Sequence, residues 1–194
     1  MMSFQIRHVR FDDADAIADV LISANEHSFR GLVPPQCFEF TREQSAANWR
    51  RTLARGLEKG WFLDVAELEG KVIGYVLGGP IIDDASRRGE LRQLSILPAH
   101  QRRGFGRLLL EHVARAFMVL GIRTVHVERL ECSPHVGFYE HLGARLIAIR
   151  THDWDGAMLP MCVYQWDDMS KLVIERGPAC QARPRARSAA HHRM

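Results

Sequence analysis

The stretch that decides the fold is Glu90-Leu91-Arg92-Gln93-Leu94-Ser95-Ile96-Leu97-Pro98-Ala99-His100-Gln101-Arg102-Arg103-Gly104-Phe105-Gly106-Arg107. Residues 90–97 read as a strand that Pro98 ends, because proline cannot donate to a ladder. A loop with two glycines follows and runs directly into a helix over 104–120. Phe105, Leu108, Leu109, Val113, Ala116, Phe117 and Leu120 share one face of that helix, and Gly121 stops it. Glycines at 104 and 106 let the backbone approach a ligand without Cβ interference. The N–H groups of the first turn lack intrahelical partners, and the helix dipole adds partial positive charge. The loop is therefore an anion site suited to a pyrophosphate, and Arg102, Arg103 and Arg107 add charge to it. A dinucleotide fold is disfavoured, since the third glycine is absent and the loop lies mid-chain. A P-loop is excluded by the lack of Gly-Lys-Ser/Thr.

Working outward, Phe4 and Ile6 alternate as a first strand. Asp12 and Asp13 cap a helix carrying Ile17, Leu21 and Ala24. Beyond the connector Gly31-Leu32-Val33-Pro34-Pro35, Thr41-Arg42-Glu43-Gln44 forms a capping box for a second helix with Trp49, Leu53 and Leu57, which Gly60 ends. Residues 61–68 and 71–77 make a hairpin about Glu69-Gly70, and Gly78-Gly79-Pro80 begins a loop. On the C-terminal side, 124–130 alternates as a strand. Pro134 opens a short helix through Tyr139 to Gly143, and 145–150 and 158–166 are final strands about Asp155-Gly156. The order β-α-α-β-β-β-α-β-α-β-β predicts an α/β class with a mixed, mostly antiparallel sheet and helices on both faces.

Bulk properties bound the function. The chain has 194 residues and a net charge of +3, with four scattered cysteines and no C-x-x-C pair. No disulfide framework and no metal site is indicated. Five arginines stand against one glutamate in 175–194, leaving the rest of the chain close to neutral. The basic charge thus belongs to an Arg-rich tail expected to be disordered, and no nucleic-acid footprint is read from it. Neither an apolar span nor a signal-peptide h-region is found, so a cytoplasmic protein without membrane association is expected.

The Gln101-x-x-Gly104-x-Gly106 loop resembles the acetyl-CoA loop of the GCN5-related N-acetyltransferase (GNAT) superfamily. Gly137-Phe138-Tyr139-Glu140-His141-Leu142-Gly143 is similar to that family's second signature. The likeness spans residues 4–168, within a single domain expected over 4–174. The resemblance implies a GNAT fold and direct acetyl transfer from acetyl-CoA to a primary amine, with a small-molecule acceptor as the leading reading. A protein N-terminus or lysine is the second reading, and a non-catalytic acyl-CoA sensor is the third. A homodimer is compatible by analogy.

In that family the strands at 90–97 and 124–130 splay, and the pantetheine arm pairs with the backbone of Leu94, Ser95 and Ile96. N–H groups across Arg102, Arg103, Gly104, Phe105, Gly106 and Arg107, beside Gln101, hold the pyrophosphate. Cys132 stands where many relatives carry an asparagine that touches the cofactor, and it cannot supply an amide's hydrogen bonds. Tyr139 takes the position of the acid that faces the CoA sulfur. Glu90, eleven residues before Gln101, matches the offset of a general-base glutamate and by strand alternation shares a face with Arg92, Leu94 and Ile96. A water relayed to other groups is the alternative base. The acceptor side draws on Asn25, Glu26, His27, Phe29, Arg92, Trp154 and Asp155.

Overall fold

A computed structural model describes residues 3–34, 37, 41–82, 87–154 and 156–173. Asp155 and the tail at 175–194 lie outside the described residues. Among the described residues seven strands form one sheet: β1 (Phe4–His8), β2 (Phe62–Leu68), β3 (Lys71–Pro80), β4 (Gly89–Ile96), β5 (Val125–Leu130), β6 (Arg145–Trp154) and β7 (Ala157–Trp166). Their spatial order is β1-β2-β3-β4-β5-β7-β6, and only β4 and β5 run parallel. Helices α1 (Ala14–Phe29) and α2 (Arg42–Arg55) cover one face, where Ile17, Val20, Leu63, Val65 and Tyr75 form a buried cluster. On the other face α3 (Phe105–Val119) and α4 (Val136–His141) pack on Leu91, Ile96, Val125 and Val127 through Leu109, Val113, Phe117 and Tyr139. Among the described residues no helix is long and apolar enough to cross a membrane.

Local chemistry explains most boundaries. Thr41 Oγ1 accepts from Gln44 N–H at 3.2 Å while Gln44 Oε1 accepts from Thr41 N–H at 3.0 Å, the reciprocal capping box expected at α2. Glu69 (φ 51°) and Gly70 (φ 77°) turn the β2–β3 hairpin.

Four expectations are corrected. Asp13 does not cap α1 through its side chain. Its carboxylate instead accepts from Arg7 Nη1 and Nη2 at 2.7 and 2.9 Å and from Arg10 N–H at 2.6 Å. Burial pushes that carboxyl up, but the two arginines' hydrogen bonds prevail and hold it below its usual range. Helix α2 ends at Gly56 (φ 76°), before Leu57 and Gly60. Gly78 and Gly79 belong to β3, not to a loop. A Cβ on Gly79 would lie 2.5 Å from the Trp61 ring, and one on Gly78 would lie 3.0 Å from Phe62, so glycine is needed there to admit aromatic rings.

The fourth correction concerns the face of Glu90. Leu77 pairs with Gln93 and Gly78 with Leu91, which leaves Arg92 as an extra residue in a β-bulge. The bulge inverts the alternation. Leu91, Leu94 and Ile96 pack toward α3, whereas Glu90 and Arg92 turn to the opposite face.

Candidate active site

The site begins where β4 and β5 part. Their parallel ladder consists of Gly89↔Val125 and Glu90↔His126, and beyond that rung the strands diverge. β4 continues against β3 as far as Ile96, while β5 continues against β7 as far as Leu130. The facing edges of Leu94–Ile96 and Val127–Leu130 therefore border a split that an extended ligand could bridge by backbone hydrogen bonds.

At one end of the split lies the loop before α3. Gly104 has φ 88°, and a Cβ built on it would meet nothing within 4 Å, so open space lies over this turn. Arg102 also has a positive φ of 58°. The first helical bond runs from Leu108 N–H to Gly104 C=O at 3.1 Å, so the N–H groups of Phe105, Gly106 and Arg107 precede the ladder. These features fit an anion of pyrophosphate size. Gly106 is constrained from the other side, since its Cβ would come within 3.3 Å of Phe138. The Phe105 ring packs on Phe4 at 5.0 Å, with the Arg103 guanidinium 5.7 Å from its centroid. Arg107 donates to the buried Glu111 at 3.0 Å.

Gln101 is anchored within the loop. Its Nε2 donates to Ile96 C=O at 3.0 Å and its N–H to Pro98 C=O at 3.2 Å. It clamps the loop to the end of β4 through the carbonyl of Ile96.

At the middle of the split Tyr139 is buried, 3% exposed, and wedged among Phe138, Tyr164 and Trp166 at 5.2, 6.3 and 6.0 Å between centroids. Trp166 Nε1 donates to Leu142 C=O at 2.9 Å, and Tyr164 Oη donates to Glu140 at 3.2 Å, which tie α4 to β7. Burial and the Glu140 carboxylate push the Tyr164 phenol up to about 12. The Tyr139 hydroxyl is thereby aimed rather than mobile. It accepts from Arg129 Nε at 2.9 Å.

On the opposite face of the sheet Glu90 accepts from Arg92 Nε and Nη2 at 3.3 and 3.2 Å, and the Arg92 guanidinium lies 4.0 Å over the Trp61 ring. Glu90's rung partner His126 is held below the ordinary histidine value first by burial. Glu90 and Glu128 oppose that shift, while Arg88 and Arg150 add to it. A neutral imidazole and a carboxylate thus sit side by side where the strands part. Sequence reasoning missed His126, Glu128 and Arg129. The alternation of 124–130 placed His126 and Glu128 on one face, but nothing local said that β4 would be their neighbour.

The remaining candidates scatter. His27 lies in a hollow of about 470 Å³ with Ser23, Glu26, Arg30 and Pro98. Asn25 and Phe29 line a second hollow of about 190 Å³. Ser28 Oγ meets His135 Nε2 at 3.0 Å and joins the end of α1 to the start of α4. Burial lowers the His135 pKa, followed by the positive fields of His27, Arg102 and Arg129. His135 therefore stands among basic groups from α1, the loop before α3 and β5, while His27 shares its hollow with both Glu26 and Arg30. Trp154 ends β6 with His152 stacked edge-on at 5.5 Å, and Cys132 is exposed just past β5.

Residues 24–144 match the model of a family described as the Acetyltransferase (GNAT) family. The chain is 26% identical over 169 residues to the uncharacterized N-acetyltransferase YuaI of Bacillus subtilis, covering 86% of this chain and 95% of that one. Among solved structures it is similar to YncA of Salmonella typhimurium, a putative acetyltransferase with its cofactor acetyl-CoA (TM-score 0.64, 19% identity, 92% of this chain and 99% of that one). It is also similar to the PaiA N-acetyltransferase of Thermoplasma acidophilum in complex with coenzyme A (TM-score 0.63, 18% identity, 84% and 99%).

Proposed function

We propose that this chain, which belongs to the GNAT acetyltransferase family, moves acetyl from acetyl-CoA directly onto a primary amine of a small molecule. The observation that carries this reading is the short ladder of two pairs, Gly89↔Val125 and Glu90↔His126, after which β4 and β5 separate. The split has an anion-binding loop at one end, a buried tyrosine hydroxyl on one face and a carboxylate beside a neutral imidazole on the other. A thioester supplies an acyl carbon open to attack and a thiolate that can depart.

The residues divide the work as follows. N–H groups of Arg102 to Arg107 hold the pyrophosphate at the N-terminus of α3. The free edges of Leu94 to Ile96 and of β5 receive the pantetheine amides. Glu90 is the base that takes the ammonium proton; its ion pair with Arg92 fixes the carboxylate in place. Neutral His126 beside it is able to share that proton. Tyr139 is the acid that protonates the departing sulfur from the opposite side of the sheet. Base and acid on opposite faces match a reaction in which the amine enters from one side and the thiol leaves on the other.

Glu90 and Glu128 bring two carboxylates to the split, paired with Arg92 and Arg150, and a cationic acceptor competes with those partners. The test is release of free thiol from acetyl-CoA across a panel of amines, polyamines, aminoglycosides and peptides. Turnover with a soluble amine supports the proposal, and turnover only with peptides replaces the acceptor class. CoA-dependent thermal stabilisation of about 2.7 kcal/mol at 100 times Kd, with no turnover, leaves a sensor instead.

A further inference from the structure

Arg129 crosses the split. Its Nη1 donates to the carbonyls of Glu128 (2.6 Å) and Arg92 (3.2 Å), so one guanidinium holds both the β4 bulge and its own strand. Its Nε donates to Tyr139 Oη, and the group lies 5.4 Å from the centre of that ring. Nη2 is buried and, among the described residues, has no hydrogen-bond partner.

A guanidinium is planar, and Nε–H and one Nη2–H point the same way as a two-pronged fork suited to an anion. Here one prong rests on the tyrosine oxygen and the other is empty. Because Nε–H donates to that oxygen, the phenol's own proton must point elsewhere. A buried cationic donor without a partner is costly, and an anionic ligand atom at this place would remove the cost.

We propose that Arg129 is a catalytic residue that binds the coenzyme A sulfur as it becomes a thiolate, through Nη2, alongside Tyr139. The inference rests on the placement of acetyl-CoA in the split. The N–C bond forms from the amine lone pair and the C–S bond breaks with its electron pair leaving on sulfur. Tyr139 then gives that sulfur its proton. Glu90 passes the first ammonium proton to solvent before attack and takes the second from the nitrogen as the N–C bond forms, and solvent restores the phenol. The guanidinium keeps its protons throughout and supplies charge while the sulfur is anionic.

The test compares CoA with desulfo-CoA, which lacks the sulfur, by calorimetry at pH 7 and at pH about 9, where a larger share of a free thiol is ionised than at pH 7. The wild-type protein is expected to prefer CoA about tenfold at the higher pH. Arg129→Met should erase that preference and leave desulfo-CoA affinity unchanged. Persistence of the preference in Arg129→Met overturns the assignment, and so does an equal loss of both ligands. A second measurement needs no variant. The thiol of CoA bound to the wild-type protein, followed by thiolate absorbance, should ionise at least one pH unit below that of free CoA; an unchanged or higher titration overturns the assignment. Failure of the wild-type protein to bind either ligand overturns the placement of CoA itself, and the inference with it.

Discussion

Strand β4 has two flanks with different histories. Along β3 it is paired from Gly89 to Ile96, broken only by the bulge at Arg92. Along β5 it is paired at Gly89 and Glu90 alone. The first flank is closed by side chains that fill space: Leu91 and Val76 are fully buried, and Phe62 meets Phe117 edge-on at 5.3 Å. The second is bridged by a charged group, Arg129, with a donor left over. Completed backbone pairing marks a flank that holds the fold together. An interrupted one, ringed by titratable groups, leaves backbone groups for another partner, and it is where the proposed function places the ligand.

Substitutions on the two flanks should separate along those lines. The largest effect is expected from Gly104→Val, which puts a β-branched side chain at φ 88° and fills the open space over the turn. CoA binding should be lost by calorimetry while the protein remains folded; unchanged affinity would remove the loop from the cofactor site. Next come Tyr139→Phe and Glu90→Gln, each expected to lower kcat by about 10²–10⁴-fold with little change in CoA affinity. Wild-type rates in Glu90→Gln would take Glu90 out of the mechanism and leave His126 or a relayed water as the base.

The closed flank should respond in stability instead. A Cβ on Gly89 would lie 2.5 Å from the fully buried Phe117 ring. Gly89→Ala should therefore cost about 1–3 kcal/mol in denaturant unfolding. Unaltered stability would mean that this end of the sheet yields more easily than its packing implies.

The smallest effect concerns pH. Burial holds His126 below its ordinary value, so between that lowered value and about 6.5 the unfolded chain binds a proton that the folded one refuses. Its contribution to stability is present above about 6.5 and fades as the pH falls through this window. His126→Gln should flatten that part of the stability profile, and an identical slope in the variant would show that other groups produce it.

Much of the cofactor side was legible because its signals are local. Two glycines, a proline stop and an apolar stripe sit within one strand–loop–helix, and each acts on the backbone within a few residues of itself. The capping box at Thr41 and the turn at Glu69-Gly70 were readable for the same reason. Asp13 misled because its pattern was local while its partner was not: Arg7 comes from β1 and outcompetes the helix end. Gly78 and Gly79 misled likewise, since glycine pairs suggest a loop unless one knows that Trp61 and Phe62 lie across them.

Periodicity, capping and turn chemistry thus determined the element order, the mixed sheet and the glycine loop that opens α3, because each depends on neighbours in the chain. Only the tertiary structure decided where β4 leaves β5, that a bulge turns Glu90 away from Leu94 and Ile96, and that Arg129 meets Tyr139 with one donor unused. Those arrangements depend on strands and helices brought together from distant parts of the chain, and no local preference in the backbone encodes them.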